Sequence, residues 1–154
     1  MANRSTSGAG DACRPTAAGH ERPLSGTLHC MLLEKLKAQV HEKFPVIAAA
    51  ADRRHEKYWG DYPPEEAYSW FESLANALND EMRDRALPAV HLPLMRHLEG
   101  ALGSSEEVYR CIDVAFVENL FWQVGGERAA PYWELMPGRL KELYLGFHPR
   151  PPVP

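Results

Sequence analysis

The chain has little of what usually announces chemistry. It holds three cysteines, Cys13, Cys30 and Cys111, and no C-x-x-C pair, which disfavours a zinc ribbon or a thioredoxin-like redox site. An odd number without pairing spacing fits free thiols in a reducing compartment. No apolar run approaches the roughly 20 residues that span a bilayer. The first residues, MANRSTSGAGDACRPTAAG, are small and polar. They lack both the apolar stretch of a signal peptide and an amphipathic arginine pattern. The cytoplasm is therefore the expected location. There is no basic excess: net charge is −4 and the isoelectric point is near 6.0. General nucleic-acid binding, which displaces counterions with a cationic surface, is disfavoured. No P-loop, G-x-G-x-x-G or G-x-S-x-G element occurs; Gly8-Ala9-Gly10 has no strand before it. Alternating apolar residues, Asn-Gly hairpin signals and a self-similar period are also missing, so strands and a solenoid are not expected.

What remains is one domain's worth of helix. Residues 1–25 are rich in Gly, Ser, Ala and Thr and predict a disordered tail. Residues 26–148 predict a single all-α domain, a compact bundle of six or seven short antiparallel helices, and 149–154 an extended proline-rich end. The first helix is expected over 26–44, where Leu33, Leu36, Val40, Phe44 and Ile47 form a stripe. Pro45 interrupts it and suits the first position of a second helix, 45–58, with its run Ala48–Ala51. Gly60 and Pro63 mark a loop. A third helix over 64–85 opens on Pro64, Glu65 and Glu66 and buries Ala67, Phe71, Leu74, Leu78 and Met82. Its opposite face carries Glu65, Ser69, Glu72, Asn76 and Asp80. A fourth helix, 90–102, turns Val90, Leu94, Leu98 and Ala101 inward. Ser104 with Glu107 has capping-box spacing for a fifth helix reaching Val124, apolar on most sides and so expected at the centre of the domain. Two short helices, 131–136 and 138–146, complete the chain, with Leu140, Leu143 and Tyr144 docking.

Four groups of residues are candidates for function. Between Asp61 and Asp84 lie seven acids (Asp61, Glu65, Glu66, Glu72, Asp80, Glu81, Asp84) against one base, Arg83. Tyr58, Trp59, Tyr62, Tyr68, Trp70 and Phe71 flank them. Aromatic anchors among steering charges suit a protein-binding surface; they equally suit side chains covering the loop between helices two and three. Asp52 and His55 share a helical face at a spacing used in metal bundles, or else belong to a solvated face. No second such pair exists, so no metal is expected. His91 and His97, six apart, point about 240° away from each other and cannot share an ion on a straight helix. Asp113, Glu118 and Asn119 place polar groups in the most apolar helix and read as buried polar anchors, or as a functional site. Asp113 and Glu118 are about 140° apart on an α-helix, which rules out a paired general acid and base on one face; Arg110 is the expected partner of Asp113. Cys111 has no histidine at helical spacing and is expected to be an inert thiol.

The stretches Leu94–Leu102 (LMRHLEGAL), Ser105–Val108 (SEEV) and Ile112–Leu120 (IDVAFVENL) resemble a group of small all-helical bacterial domains of unknown function. The likeness rests on Glu99, Glu107, Val108, Glu118 and Asn119 and covers about half of the predicted domain. Such domains look like immunity proteins that neutralise bacterial toxins, and the resemblance implies no catalytic residues. The resulting expectation is a non-enzymatic protein-binding domain without a cofactor. It would be an immunity-type inhibitor covering a basic toxin or nuclease with Tyr62, Glu65, Glu66, Glu72, Asp80, Glu81 and Asp84. The rivals are a metal- or ligand-binding bundle or enzyme using Asp52 and His55, and a scaffold or regulatory subunit binding through apolar surface.

Overall fold

The computed structural model describes residues 24–60 and 67–154, with side chains from Leu32 onward. The expected tail and the candidates Tyr62, Glu65 and Glu66 lie almost wholly outside that set. Among the described residues the chain is all-α, with no strand. Helices α1 (Leu24–Lys43) and α2 (Pro45–Trp59) are followed by α3 (Ala67–Arg83) and α4 (Pro88–Ala101). A short α5 (Glu106–Cys111) runs directly into a π turn (Ile112–Val117), and α6 (Gly126–Leu135) and α7 (Gly138–Phe147) close the fold.

Pro45 does what its chemistry dictates. It occupies the first position of α2, where a missing N–H costs nothing, and Phe44 before it leaves helical geometry (φ −132°, ψ 57°). The break folds α2 back on α1, so that His41 reaches Asp52 at 3.0 Å. Leu33, Leu36, Val40 and Ile47 are buried along the expected stripe.

The centre of the domain is α3, not the fifth helix. Eleven of its residues are buried, and it packs against α2, the π turn, α6, α1 and α5. The apolar stripe Ala67, Phe71, Leu74, Leu78 and Met82 is buried as its period requires. Ser69, Ser73 and Asn79 are buried as well, while Glu72, Asn76 and Asp80 of the expected polar face are half-buried. The Ser73 hydroxyl is satisfied within the helix, donating to the Ser69 carbonyl at 2.9 Å.

Four expectations are corrected. In α4 the inward residues are His91, Leu94, Met95 and Leu98, while Val90 stands 65% exposed. The stripe is rotated by one residue because the imidazole takes an apolar position, stacked on Tyr132. The cap of α5 is Ser105, whose side chain accepts from Val108 N–H at 3.1 Å. Ser104 instead donates to the Ala101 carbonyl. The fifth helix does not continue to Val124: it widens at Ile112 and gives way after Val117 to turns in which Phe121 and Gln123 have φ of 64° and 55°. Finally, α6 begins at Gly126 and carries Pro131 inside it, with the ring on an exposed position. Gly126 is required where it stands, since a Cβ there would lie 2.9 Å from Pro154 N and 3.1 Å from the Val153 carbonyl carbon.

Candidate functional site: an aromatic cleft beside the π turn

The π turn sets the direction of the chain after Val117. In an i→i+5 pattern each hydrogen-bonded ring encloses one more residue than in an α-helix, so the chain leaves the helix with a different phase. Glu118 N–H bonds to the Asp113 carbonyl at 3.0 Å, which sets Asp113 and Glu118 one π turn apart on one side. The 140° separation of a straight α-helix does not hold here. Burial, and then the Glu118 charge, raise the Asp113 carboxyl above its ordinary range. Arg110 does not turn to Asp113; it pairs with Glu106 at 3.3 Å. Glu118 is exposed and Asn119 half-buried.

The buried polar anchor of this region is Asn79, a residue that nothing in the sequence singled out. It has no exposed surface. Its Nδ2 donates to the Asn119 carbonyl at 2.8 Å, and its Oδ1 accepts from Phe121 N–H at 2.7 Å. Both backbone groups were left without helical partners when the helix ended. The amide of α3 thereby holds the turn in which bulky Phe121 takes a left-handed φ, a conformation costing about 1–2 kcal/mol for a residue with a side chain. The outcome is local: Phe121 goes into the core against Trp133 and Tyr144, and Trp122 is turned out, 63% exposed. Arg83 accompanies it, donating to the Trp122 carbonyl at 2.9 Å.

Trp122 forms one wall of a cleft of about 410 Å³. Residues 54, 58 and 59 of α2 supply Arg54, Tyr58 and Trp59. One turn of α3 supplies Glu72, Ser73 and Asn76, and Asn119 completes the lining. Arg54 is directed to Asp80 at 2.5 Å and also lies over the Tyr58 ring, 5.0 Å from its centroid. The Ser73 hydroxyl is committed to Ser69, and no histidine lines the cleft among the described residues, so this serine lacks the adjacent base that nucleophilic chemistry needs.

The acids of α3 do not form a uniform negative face. Glu72 lines the cleft without an ion-pair partner among the described residues. Asp80 is held between Arg54 and Arg83. Glu81 stands 3.6 Å from the ring of His91, too far for a hydrogen bond. Burial outweighs that carboxylate and lowers the His91 pKa, so the pair is not an ion pair near neutrality. Asp84 is exposed just beyond the helix.

Asp52 and His55 are directed apart. The Asp52 carboxylate accepts from Trp70 Nε1 at 2.7 Å and meets His41. His55 stacks on Trp59. Among the described residues no three His, Cys, Asp or Glu side chains stand close enough together to hold a metal ion. Cys111 is fully buried, and burial followed by the Glu107 charge pushes its thiol pKa up, which makes it a poor nucleophile. No helix among the described residues is long and apolar enough to cross a membrane.

An all-helical domain with an aromatic, amide-lined cleft is thus defined by the fold. The chain belongs to the family described as a domain of unknown function, DUF7674, whose match covers residues 37–149. That span contains every element from the end of α1 to the end of α7, including the stretches around Glu99, Glu107 and Glu118 on which the resemblance to uncharacterised helical domains rested. No curated protein matches the chain, and no solved structure matches it.

Proposed function

We propose that this chain is a non-enzymatic protein-binding domain whose contact face is the aromatic rim of the cleft, with the acids of α3 beside it. One observation carries the reading. A tryptophan is held 63% exposed on a turn with left-handed residues on both sides, and a fully buried amide is committed to keeping it there. Strained backbone persists where surrounding structure enforces it, and such places concentrate at ligand-contacting sites. Exposed Trp and Tyr are the residue types that anchor protein interfaces.

The more specific form is an immunity-type inhibitor that covers a basic toxin or nuclease. Its support is the net charge of −4, unpaired Glu72 in the cleft and exposed Asp84 nearby. Asp80 contributes less than its position in the sequence suggests, because two guanidiniums neutralise it. The test is parallel capture by immobilised full-length wild type, Trp122→Ala and Glu72→Lys from lysate of the source organism, at low and high salt. A protein retained by wild type and lost with Trp122→Ala supports the reading; identical capture by all three contradicts it. Loss at high salt and with Glu72→Lys supports the inhibitor form, whereas salt-insensitive capture leaves an apolar, scaffold-type contact instead.

A further inference from the structure

Resting on the binding reading above, the cleft's hydrogen-bonding inventory identifies the group it receives. Asn76 Nδ2 donates to the Glu72 carbonyl at 3.1 Å, and Asn119 Nδ2 to the Ala115 carbonyl at 3.0 Å. The Ser73 hydroxyl donates to Ser69. One N–H of each amide and the Ser73 hydroxyl are therefore spent on the backbone, each on a carbonyl four residues back, and the Asn76 oxygen accepts from Asn79 Nδ2 at 3.3 Å. The acceptors left without a partner among the described residues are the Asn119 amide oxygen and the Glu72 carboxylate, the one anion in the lining. Arg54, the one cation in the lining among the described residues, is turned to Asp80. The indoles of Trp59 and Trp122 line the same cleft.

We infer that the cleft binds the guanidinium of an arginine side chain presented by the partner protein. A guanidinium is planar, carries five donors and no acceptor, and stacks on aromatic faces. In a cleft that offers a carboxylate and an amide oxygen between indole walls it makes more contacts than a compact ammonium does, and an indole face attracts it through its quadrupole. The occupant is thus argued from the charge of the unpaired Glu72 carboxylate and from the indole walls beside it.

The test is an NMR titration of the isotope-labelled full chain with N-acetyl-arginine amide, N-acetyl-lysine amide and the uncharged isostere N-acetyl-citrulline amide. Saturable shifts are expected for the Trp59 and Trp122 indole N–H and the Asn76 and Asn119 side-chain amides with the arginine probe. Glu72→Gln, a change on a half-buried surface position, should weaken that binding about tenfold, since it removes a hydrogen bond between charged groups. Equal binding of the citrulline or lysine probe overturns the assignment, as does an arginine response that Glu72→Gln leaves unchanged or no response at the cleft. If the titration fails while Trp122→Ala still abolishes protein capture, the arginine assignment falls and the binding reading stands. If the titration succeeds but capture ignores Trp122, the reverse holds.

Discussion

Asn79→Ala tests the turn that creates the candidate site. The substitution leaves Phe121 N–H, a buried donor, without its acceptor at 2.7 Å. It also leaves the Asn119 carbonyl with only the 3.4 Å contact from Trp122 N–H. An unsatisfied buried donor costs about 1–3 kcal/mol, and the weakened carbonyl adds about 1 kcal/mol. Relaxation of Phe121 toward ordinary φ offsets part of this, up to about 1–2 kcal/mol. The net expectation is a loss of about 1–3 kcal/mol. For a domain of this size that lowers Tm by roughly 3–12 °C. Urea unfolding followed by far-UV circular dichroism measures it, with an unchanged m-value showing that compactness is kept. A loss below about 0.5 kcal/mol, the range of an ordinary surface change, refutes the idea that Asn79 holds the turn. The same variant should lose partner capture even under conditions where it is fully folded, because Trp122 is released.

The same geometry predicts three further outcomes. Gln123 is exposed at φ 55°, so Gln123→Gly should raise stability by about 0.5–1 kcal/mol; a loss in urea unfolding contradicts the strain. His91 titrates in the folded state below its usual value. The unfolded chain then binds more protons between the two pKa values, and stability is present above about pH 6.5 and lost as pH falls through the folded value. His91→Phe should flatten the pH dependence of Tm there, and an unaltered slope would show that His91 is not its source. Gly126→Ala meets the backbone of Val153 and Pro154; it should destabilise the full chain by about 1–3 kcal/mol, and removing residues 149–154 should abolish that penalty.

Periodicity made much of this fold legible. Leu33, Leu36 and Val40 in α1, and Phe71, Leu74, Leu78 and Met82 in α3, are buried because residues three and four apart share a helical face. Pro45 marked a boundary because its ring constrains any helix. The failures have physical causes as well. His91 counts as polar in a pattern yet packs as an aromatic ring, which rotated α4 by one residue. Pro131 suggests a helix start, but it stands sixth of the ten residues of α6 with its ring exposed, and the helix runs through it. The segment after Cys111 is apolar on so many sides that its pattern does not define the helical phase, so the π turn left no trace in composition. Asn79 was invisible for a related reason: its partners are backbone groups 40 and 42 residues away, and backbone groups have no sequence signature. Glu72 and the aromatics Tyr58 and Trp59 were picked out as an interaction surface. That they share a cleft with Trp122 depends on the turn that Asn79 holds.

The most direct measurement is hydroxyl-radical footprinting of the full chain, free and bound to the protein it captures, read residue by residue. Binding through the aromatic cleft predicts that Trp122 and Tyr58, both largely exposed in the free chain, become protected, while Leu87 and Val90 on α4 are labelled as before. Protection of Leu87 and Val90 with Trp122 still fully labelled would place the interface elsewhere and contradict the account.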